Sequence, residues 1–261
     1  MPAQFTAYLS AELNSASLKS DPQIEAAFSC VAENLLRKGM ITVDHRKYLL
    51  TEIEFYYWSE NHPDPYVHKH PNQLKTGLWY FHDVGQDLTF GSNGSYGGIL
   101  LRAIASQDLV NYVDGPVKTF DEIFNSELVL DREHTFRIDL TDKSLLEQEV
   151  EISDFPRVGM YPKGRDHDEQ YLFKPYRYLS YPWLSSAERH VMYLYTKHYK
   201  EDTELLGKLK LDKSMIREYD KAFEDGLNMQ RSEVDDLMSG MIKMNVINKC
   251  RLIGWNYSRQ R

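Results

Sequence analysis

The sequence predicts a mixed α+β fold, in which a mostly antiparallel sheet is preceded by a helix and followed by further helices. Three observations support this prediction. Residues 48–56 alternate between apolar and polar side chains, as a half-buried strand does. Residues 24–36 instead repeat their apolar side chains at helical spacing. From about Ser185 onward the strand patterns stop, and three helix-like segments follow.

Length and composition indicate one large domain, or one domain with an appendage. The chain has 261 residues, a net charge of -8 and a hydrophobic fraction of 42%. It lacks both an apolar run of about 18 residues and an N-terminal signal pattern, so we expect no membrane partner and no secretion. Two distant cysteines are typical of a reduced, intracellular protein in the cytoplasm, nucleoid or nucleus. The acidic balance argues against reliance on non-specific attraction to phosphate.

The first part of the chain is predicted to contain a leader, a helix and a hairpin. Residues 1–20 are expected to form a polar leader. A helix is predicted to begin after Ser20, with Pro22 in its first turn, and to end at Gly39. Residues 41–43 and 48–56 are predicted to pair as a hairpin. Two prolines in residues 62–65 exclude helix and ladder there, which predicts a loop.

The rest of the chain divides into strands and then helices. Strands are predicted at residues 77–81, 88–90, 98–104 and 135–140, and a helix at residues 115–124. Later helices are predicted at residues 187–199, 212–223 and 232–249, the last beginning with a capping box at Ser232. We therefore expect a leader (residues 1–20), a domain (residues 21–185) and a C-terminal helical extension (residues 186–261).

The strand at residues 48–56 carries the clearest chemical signal. Alternation predicts that Leu50, Glu52, Glu54 and Tyr56 share one face, about 7 Å between alternate residues. A dense run of rings continues from this face: Tyr56, Tyr57, Trp58, His62, Tyr66, His68 and His70. Carboxylates beside such a run predict a pocket wall that stacks a flat ligand.

An arginine interrupts the apolar strand at residues 98–104. A buried arginine requires an anion, so Arg102 is expected either to serve a functional site or to neutralise Glu52 or Glu54.

Five short motifs, in this order, resemble those of the alkyladenine (3-methyladenine) DNA glycosylases. The motifs are Glu52-Ile53-Glu54-Phe55-Tyr56, Gly77-Leu78-Trp79-Tyr80-Phe81, Ile99-Leu100-Leu101-Arg102-Ala103-Ile104, Gly115-Pro116, and the late pair Pro156-Arg157-Val158-Gly159 and Lys174-Pro175-Tyr176-Arg177-Tyr178, followed by Pro182-Trp183. The resemblance covers roughly residues 21–185. It implies a single α+β domain with a curved, mostly antiparallel sheet, and it leaves the C-terminal helices outside.

The resemblance also implies an activity, DNA as the partner, and a role for each matching residue. Glu54 would be the base that deprotonates the water attacking the sugar C1′, and Arg102 would help to hold that water. The flipped base would be bound by Tyr56, His68, Phe81 and Asn93. DNA would be contacted by His82, Val84, Lys174 and Arg177. No pocket lysine matches, so the resemblance implies hydrolysis without lyase chemistry, with no cofactor and no metal.

Two positions depart from the family pattern. Val84 stands where the family inserts a tyrosine into the duplex, and Gly91 stands where it has a base-selecting asparagine, with Asn93 displaced by two residues. These departures indicate a different modified base, or a loss of activity.

Two other functions are compatible with the sequence. A non-catalytic protein of the same fold could bind nucleic acid or a nucleotide, and Val84 and the acidic charge favour that alternative. A metal-dependent hydrolase could be built on His62, Asp64, His68 and His70, but no fixed ligand motif is present.

Overall fold

The computed structural model describes residues 3–124, 135–147, 149–162, 164–165, 167–242 and 244–260. The chain forms two compact units, Met1–Asp154 with Tyr176–Tyr181, and Phe155–Pro175 with Pro182–Arg261. This division differs from the expected boundary after residue 185, because residues 155–175 belong with the C-terminal helices. Hydrogen bonds within the second unit explain the difference: Gly164 N donates to Met238 O, and Tyr195 OH donates to Phe173 O.

The first unit contains the predicted strands and helices in the predicted order. The prediction that residues 62–65 form no ladder is wrong, because residues 62–63 pair with residues 58–59 as a two-residue strand. A proline at a strand end is compatible with such short pairing. The helices are α1 (Ala3–Glu12), α2 (Asp21–Lys38) and α3 (Pro116–Ile123), with a 3-10 helix at Pro71–Leu74. The strands are β1 (Gly39–Val43), β2 (Arg46–Ser59), β3 (His62–Pro63), β4 (Thr76–His82), β5 (Gly85–Phe90), β6 (Tyr96–Ala105), β7 (Tyr112–Asp114), β8 (Phe136–Leu140), β9 (Ser153–Phe155) and β10 (Arg177–Leu179).

Within the described part of the chain, ten strands form one antiparallel sheet that curls into a half-barrel. The main path runs β4-β5-β6-β2-β1-β8, while β3 and β10 pair with β2, and β7 pairs with β6. The predicted α+β class with C-terminal helices is confirmed. Strand β2 is central in this order, so its side chains have neighbours on both edges.

Two bulges interrupt the pairing of β2 with β6. The pairs around them are Leu50 with Ile104, Glu52 with Ala103, and Ile53 with Leu101. Thr51 on β2 and Arg102 on β6 are therefore extra residues. Because an extra residue reverses the alternation, the prediction that Leu50 shares the face of the two glutamates is wrong. Leu50 instead belongs to the same hydrophobic core as Ile53.

Helix α2 covers the apolar face of the sheet. Its predicted start after Ser20 and its predicted end at Gly39 are confirmed. The ring of Phe28 stacks on that of Phe55 in β2 with centroids 4.3 Å apart, and it meets Tyr176 edge-on at 5.0 Å. Such ring pairs contribute about 0.5–1.5 kcal/mol each beyond area burial. This packing leaves the other face of β2 for polar side chains.

The expected polar leader is instead a part of the core. Helix α1 lies within it and buries Phe5 and Leu9, and Leu13 and Leu18 follow; each is at most 3% exposed. Residues 5, 9 and 13 recur every fourth position and form one apolar stripe along the segment. Alanines and polar residues at most of the other positions conceal this stripe in the composition.

The second unit is helical. Its helices are α4 (Asp168–Tyr171), α5 (Arg189–Tyr195) continuing as a π-helical turn at Thr196–Lys200, α6 (Thr203–Leu209), α7 (Lys213–Leu227), α8 (Arg231–Met238) and α9 (Val246–Ser258). The prediction of one helix over residues 232–249 is wrong, because α8 ends at Met238 and Gly240 adopts a φ of 78°. The capping box of α8 joins Gln230 and Glu233 and does not involve Ser232. None of the helices in the described residues has the length and apolar character needed to span a membrane.

Candidate functional site

Four charged side chains meet on the polar face of the sheet. Glu52 and Glu54 lie on β2, Arg102 lies on β6, and Arg177 lies on β10. Strand β2 pairs with β6 and with β10, and Arg177 is the direct register partner of Glu54. The two arginines therefore approach the two carboxylates from different strands.

Glu52 is the shared partner of both arginines. Arg102 Nε donates to its Oε1 at 2.7 Å, and Arg177 Nε donates to the same oxygen at 2.8 Å. Glu52, Glu54 and Arg177 are fully buried, and Arg102 is 6% exposed. Two negative and two positive groups balance one another, which is the condition under which buried charges are tolerated.

The two arginines determine the ionisation of Glu52. Burial acts to raise the pKa of Glu52, but Arg177 and then Arg102 outweigh it and lower that pKa below its usual value. Burial acts to lower the pKa of Arg102, while Glu54 and Glu52 raise it above its usual value. Glu52 therefore stays charged and fixes the positions of both guanidinium groups.

Glu54 has different partners from Glu52. The hydroxyl of Tyr56, two residues along β2, donates to Oε2 of Glu54 at 2.9 Å. Arg102 Nε lies 3.4 Å from Oε1, a longer separation than its 2.7 Å contact with Glu52. Tyr56 is half-buried, whereas Glu54 is fully buried. A carboxylate oriented in this way could accept a proton from a water molecule that reaches it past Tyr56.

The same face of the sheet continues from Glu54 to β4. Leu100 pairs with Glu54 on one side and with Asp87 on the other, and Asp87 pairs with Tyr80. Directly paired residues point to the same face of an antiparallel sheet. Tyr80, Asp87, Leu100 and Glu54 therefore form one row across four strands. With strands about 4.8 Å apart, Asp87 lies roughly 10 Å from Glu54.

A cluster of aromatic and imidazole rings surrounds Tyr80 on this face. The ring of His70 stacks on that of Tyr80 with centroids 4.3 Å apart, and the hydroxyl of Tyr80 lies 3.4 Å from Nδ1 of His68. The rings of His68 and His82 meet edge-on at 4.9 Å. Partial burial, followed by the nearby His82, lowers the pKa of His68, so His68 is mostly neutral near pH 7.

Phe81 does not join this row, although it was expected to line the pocket with Tyr56. It is paired with Gln86, next to Trp79 and Leu88 on the apolar side, and its ring contacts Phe120 and Phe124. Tyr80 takes the position on the polar face. A shift of one residue moves a side chain to the other face of a strand, and short motifs do not determine that register.

Asn93 and Val84 lie at turns at opposite ends of β5. Asn93 is exposed, and its amide donates to Oγ of Ser15 at 3.3 Å. Its turn lies beyond Tyr96, which is four residues along β6 from the partner of Glu54, a distance of roughly 13 Å. Asn93 is therefore not beside Glu54. Val84 is 49% exposed at the tip of the β4–β5 hairpin, the tip expected from the resemblance.

Three residues expected to contact DNA are situated differently. Arg177 is fully buried and paired with Glu52, so its guanidinium is not available to a phosphate. His82 contacts Asp87, with Nε2 at 3.0 Å from Oδ1. Lys174 is half-buried in the second unit. Of the expected site residues, the structure brings together Glu54, Arg102 and Tyr56 as one group, and His68 and His82 as another.

Asp87 is a site residue that the sequence analysis missed. It is 3% exposed, and its Oδ2 accepts a hydrogen bond from Nε2 of Gln73 at 3.2 Å. Its partners are 5 and 14 residues away, so no local motif links them. The available signal was the alternation of polar and apolar side chains at residues 87–90. It extends the predicted strand to residue 87 and places Asp87 on the polar face of that strand.

The histidine-rich segment shows no metal-binding geometry. In the described residues, no group of three or more His, Cys, Asp or Glu side chains is arranged to hold a metal ion. His62 is instead buried, 3.1 Å from Asp21 and packed beside Tyr57. This part of the chain therefore offers no donor set for the metal-dependent alternative.

No protein-family model matches the chain. The chain is similar to the uncharacterized protein L759 of Acanthamoeba polyphaga mimivirus, with 28% identity over 193 residues. The aligned region covers 59% of this chain and 86% of the viral protein. The name of that relative states no activity, so any functional argument depends on the residues of the site.

Proposed function

We propose that this protein is a DNA glycosylase that hydrolyses the N-glycosidic bond of a flipped, modified base, with Glu54 activating the attacking water. One observation carries the proposal: the carboxylate of Glu54 contacts both the hydroxyl of Tyr56 and the guanidinium of Arg102. The resemblance assigns water activation to Glu54 and Arg102, and Tyr56 is one of the four residues to which it assigns base binding. Their meeting depends on the register of two strands far apart in sequence, which supports a common role.

The chemistry requires a carboxylate next to the sugar. As the bond between C1′ and the base nitrogen breaks, the base retains the electron pair and the sugar develops positive charge. Water then forms a bond to C1′, and Glu54 accepts its proton. The negative charge of Glu54 also stabilises the cationic sugar. Arg102 keeps the carboxylate oriented and, together with Glu52 and Arg177, holds the buried charges in balance.

Substrate access depends on Tyr56. Glu54 is fully buried, whereas Tyr56 is half-buried and bonded to it. Rotation of the Tyr56 ring would expose Oε2 of Glu54 and present a ring face to the base. Stacking of a base on an aromatic ring contributes about 1–3 kcal/mol, which offsets part of the energy of flipping.

A second candidate is a protein of the same fold that binds nucleic acid or a nucleotide without cleaving it. The specific observation in its favour is the charge balance of the buried quartet, because Glu54 then has a structural role in addition to Glu52. The position of Phe81 on the opposite face also reduces the number of rings available to sandwich a base.

Base release from modified DNA separates the two candidates. Duplex and single-stranded oligonucleotides with alkylated, deaminated or hypermodified bases are incubated with the protein, and alkali cleaves any abasic site. Glycosylase activity predicts strand breaks that disappear in Glu54→Gln, a change of nearly identical shape. Breaks that persist in Glu54→Gln would show that another residue, or a contaminant, performs the hydrolysis.

The matched control is Glu60→Gln, because Glu60 is an exposed carboxylate immediately after β2. It should leave base release unchanged. DNA binding by each variant is measured in parallel. Absence of release across the panel, together with binding that is equal in the wild type and Glu54→Gln, would support the non-catalytic candidate.

A further inference from the structure

A buried histidine and aspartate lie beside the proposed site and have no role in the water-activating step. His82 Nε2 is 3.0 Å from Oδ1 of Asp87, and Gln73 Nε2 donates to Oδ2 of the same carboxylate at 3.2 Å. The side chain of Asp87 is 4% exposed and that of His82 is 9% exposed. With both of its oxygens engaged, Asp87 is held in one orientation.

The second nitrogen of His82 is free to act on a ligand. Nδ1 is buried, and it has no hydrogen-bond partner among the described residues. Because Asp87 accepts from Nε2–H, Nδ1 carries the second proton when the ring is charged. A buried polar atom without a hydrogen-bond partner is energetically unfavourable. In a purely structural histidine–aspartate pair, such an atom is normally hydrogen-bonded. The unsatisfied Nδ1 of His82 is therefore suited to form a hydrogen bond with a ligand.

The sheet register places this pair at a suitable separation from Glu54. Asp87 and Glu54 are paired with the same residue, Leu100, so the two carboxylates lie on one face at roughly 10 Å. Leu100 and Gly98 form the strip between them. A Cβ at Gly98 would lie 2.7 Å from Oδ2 of Asp87 and 2.9 Å from Nε2 of Gln73, so a larger residue there would displace the side chains that hold Asp87 in place. A base with its sugar carbon near Glu54 would extend across this strip towards His82.

We propose that His82, oriented by Asp87, donates a proton to the departing base while Glu54 accepts one from water. The inference rests on the proposed glycosylase function and names its second proton-transfer residue. When the C1′–N bond breaks, the base nitrogen takes the electron pair and receives the Nδ1 proton of charged His82. The water oxygen bonds to C1′ and its proton passes to Glu54, so His82 ends neutral and Glu54 protonated. Exchange with solvent restores both.

Several charged or titratable groups face the His82 ring. Asp87 on β5 contacts it through Nε2, and the exposed Asp83 follows it in the hairpin turn. His68, from the loop before β4, approaches it edge-on, and Tyr80 lies 5.0 Å away between ring centroids. His68 is mostly neutral near pH 7, because partial burial and His82 lower its pKa.

Two leaving groups of different charge test the proposal. N7-methylguanine leaves as a neutral base without needing a proton, because it is already cationic in DNA, whereas hypoxanthine requires one. Single-turnover release of each is measured for the wild type, His82→Gln and Asp87→Asn across pH 5 to 9. General acid catalysis contributes about 10²–10⁴-fold, so His82→Gln should slow hypoxanthine release at least a hundredfold and N7-methylguanine release only slightly. The fall of hypoxanthine release at high pH should disappear in the variant.

Each alternative outcome is decisive. Equal slowing of both bases by His82→Gln, or no slowing of either, would overturn the proton-donor role while leaving the glycosylase proposal intact, provided that Glu54→Gln still abolishes release. Release of the cationic base alone by the wild type would overturn it too. No release by the wild type of either base, or of any base in the wider panel of modified bases, would remove the proposed function itself. Should His82→Gln fail to fold, Asp87→Asn, which keeps the hydrogen-bonding shape without the charge, must show the same selective loss on hypoxanthine.

Discussion

Arg177 Nε lies 2.8 Å from Oε1 of Glu52, and both side chains are fully buried. The two residues are 125 positions apart in sequence, and their contact attaches β10 to the centre of the sheet. Glu52 in turn holds Arg102, the arginine that faces Glu54. The geometry of the candidate catalytic carboxylate therefore depends on an ion pair that is fully buried in the sheet.

Removal of Arg177 should destabilise the first unit strongly. Arg177→Met leaves an excess negative charge among buried groups, and breaking a buried pair typically costs about 3–5 kcal/mol. Urea denaturation of the full chain, followed by hydrogen exchange of β2 amides, measures the loss. The control is Arg137→Met, because the Arg137–Asp139 pair is 54% and 37% exposed and should contribute no more than about 1 kcal/mol. Equal losses in the two variants would contradict a structural role for the buried quartet.

A tyrosine at the tip of the β4–β5 hairpin should strengthen duplex binding. Val84 is 49% exposed at the position where the resembling family carries its wedge. Stacking on a base contributes about 1–3 kcal/mol, so Val84→Tyr should lower the duplex Kd roughly tenfold in fluorescence anisotropy. Val110→Tyr, at a position that is 76% exposed in another loop, is the control for non-specific stacking. A similar gain from both variants would indicate that the hairpin tip does not face DNA.

Two glycines allow α7 and α9 to approach closely in the second unit. A Cβ at Gly254 would lie 2.1 Å from the backbone oxygen of Phe223, and one at Gly226 would lie 2.0 Å from that of Arg251. Backbone cannot move aside as a side chain can. Gly254→Ala should therefore separate the helices and destabilise the unit by roughly 1–3 kcal/mol, as overpacked sites do.

Gly207→Ala is the matched control for the helix contact. Gly207 lies in α6, and a Cβ added there would meet no described atom within 4 Å. Alanine should stabilise that helix by about 0.5–1 kcal/mol, because it lowers the entropy of the unfolded chain. Thermal unfolding of the two variants should thus shift in opposite directions, and a shift of the same sign would refute the packing argument.

Acidification should weaken the second unit through His190. Burial lowers the pKa of His190 to about 4; Glu188 opposes this shift and Lys249 adds to it. The unfolded chain, with a histidine pKa of about 6.5, then binds more protons than the folded chain between these values. Stability is complete above pH 6.5 and is lost as the pH falls towards 4, by roughly 3 kcal/mol at most.

A histidine replacement isolates this contribution. The difference in unfolding free energy between pH 7 and pH 4.5 should be smaller in His190→Gln than in the wild type. His45→Gln, at an exposed position, should retain the wild-type difference. An unchanged pH dependence in His190→Gln would assign the acid sensitivity to other groups.

Local patterns predicted much of the sheet and the first long helix. The start and end of α2 followed from Ser20, Pro22 and Gly39, and the strands around Glu54 and Arg102 were found at nearly their observed positions. The failures have common causes. Leu50 was assigned to the wrong face because one bulged residue reverses the alternation. The apolar stripe of α1 was overlooked because alanines and polar residues separate its large apolar side chains, which are only one in four.

The sequence by itself determined that Glu54 and Tyr56 share a face, because positions two apart do so in a strand that no bulge interrupts, and the pairing from Ile53 to Trp58 is regular. It also determined that Arg102 needs a buried anion, since an isolated charge inside an apolar strand is too costly. Only the tertiary structure decided that Glu52, and not a phosphate, holds Arg177. It also decided that Asp87, which lies in the same row of paired residues as Glu54, orients His82. Those relationships depend on the register between strands distant in the chain, and a register can shift by one residue without any change in local pattern.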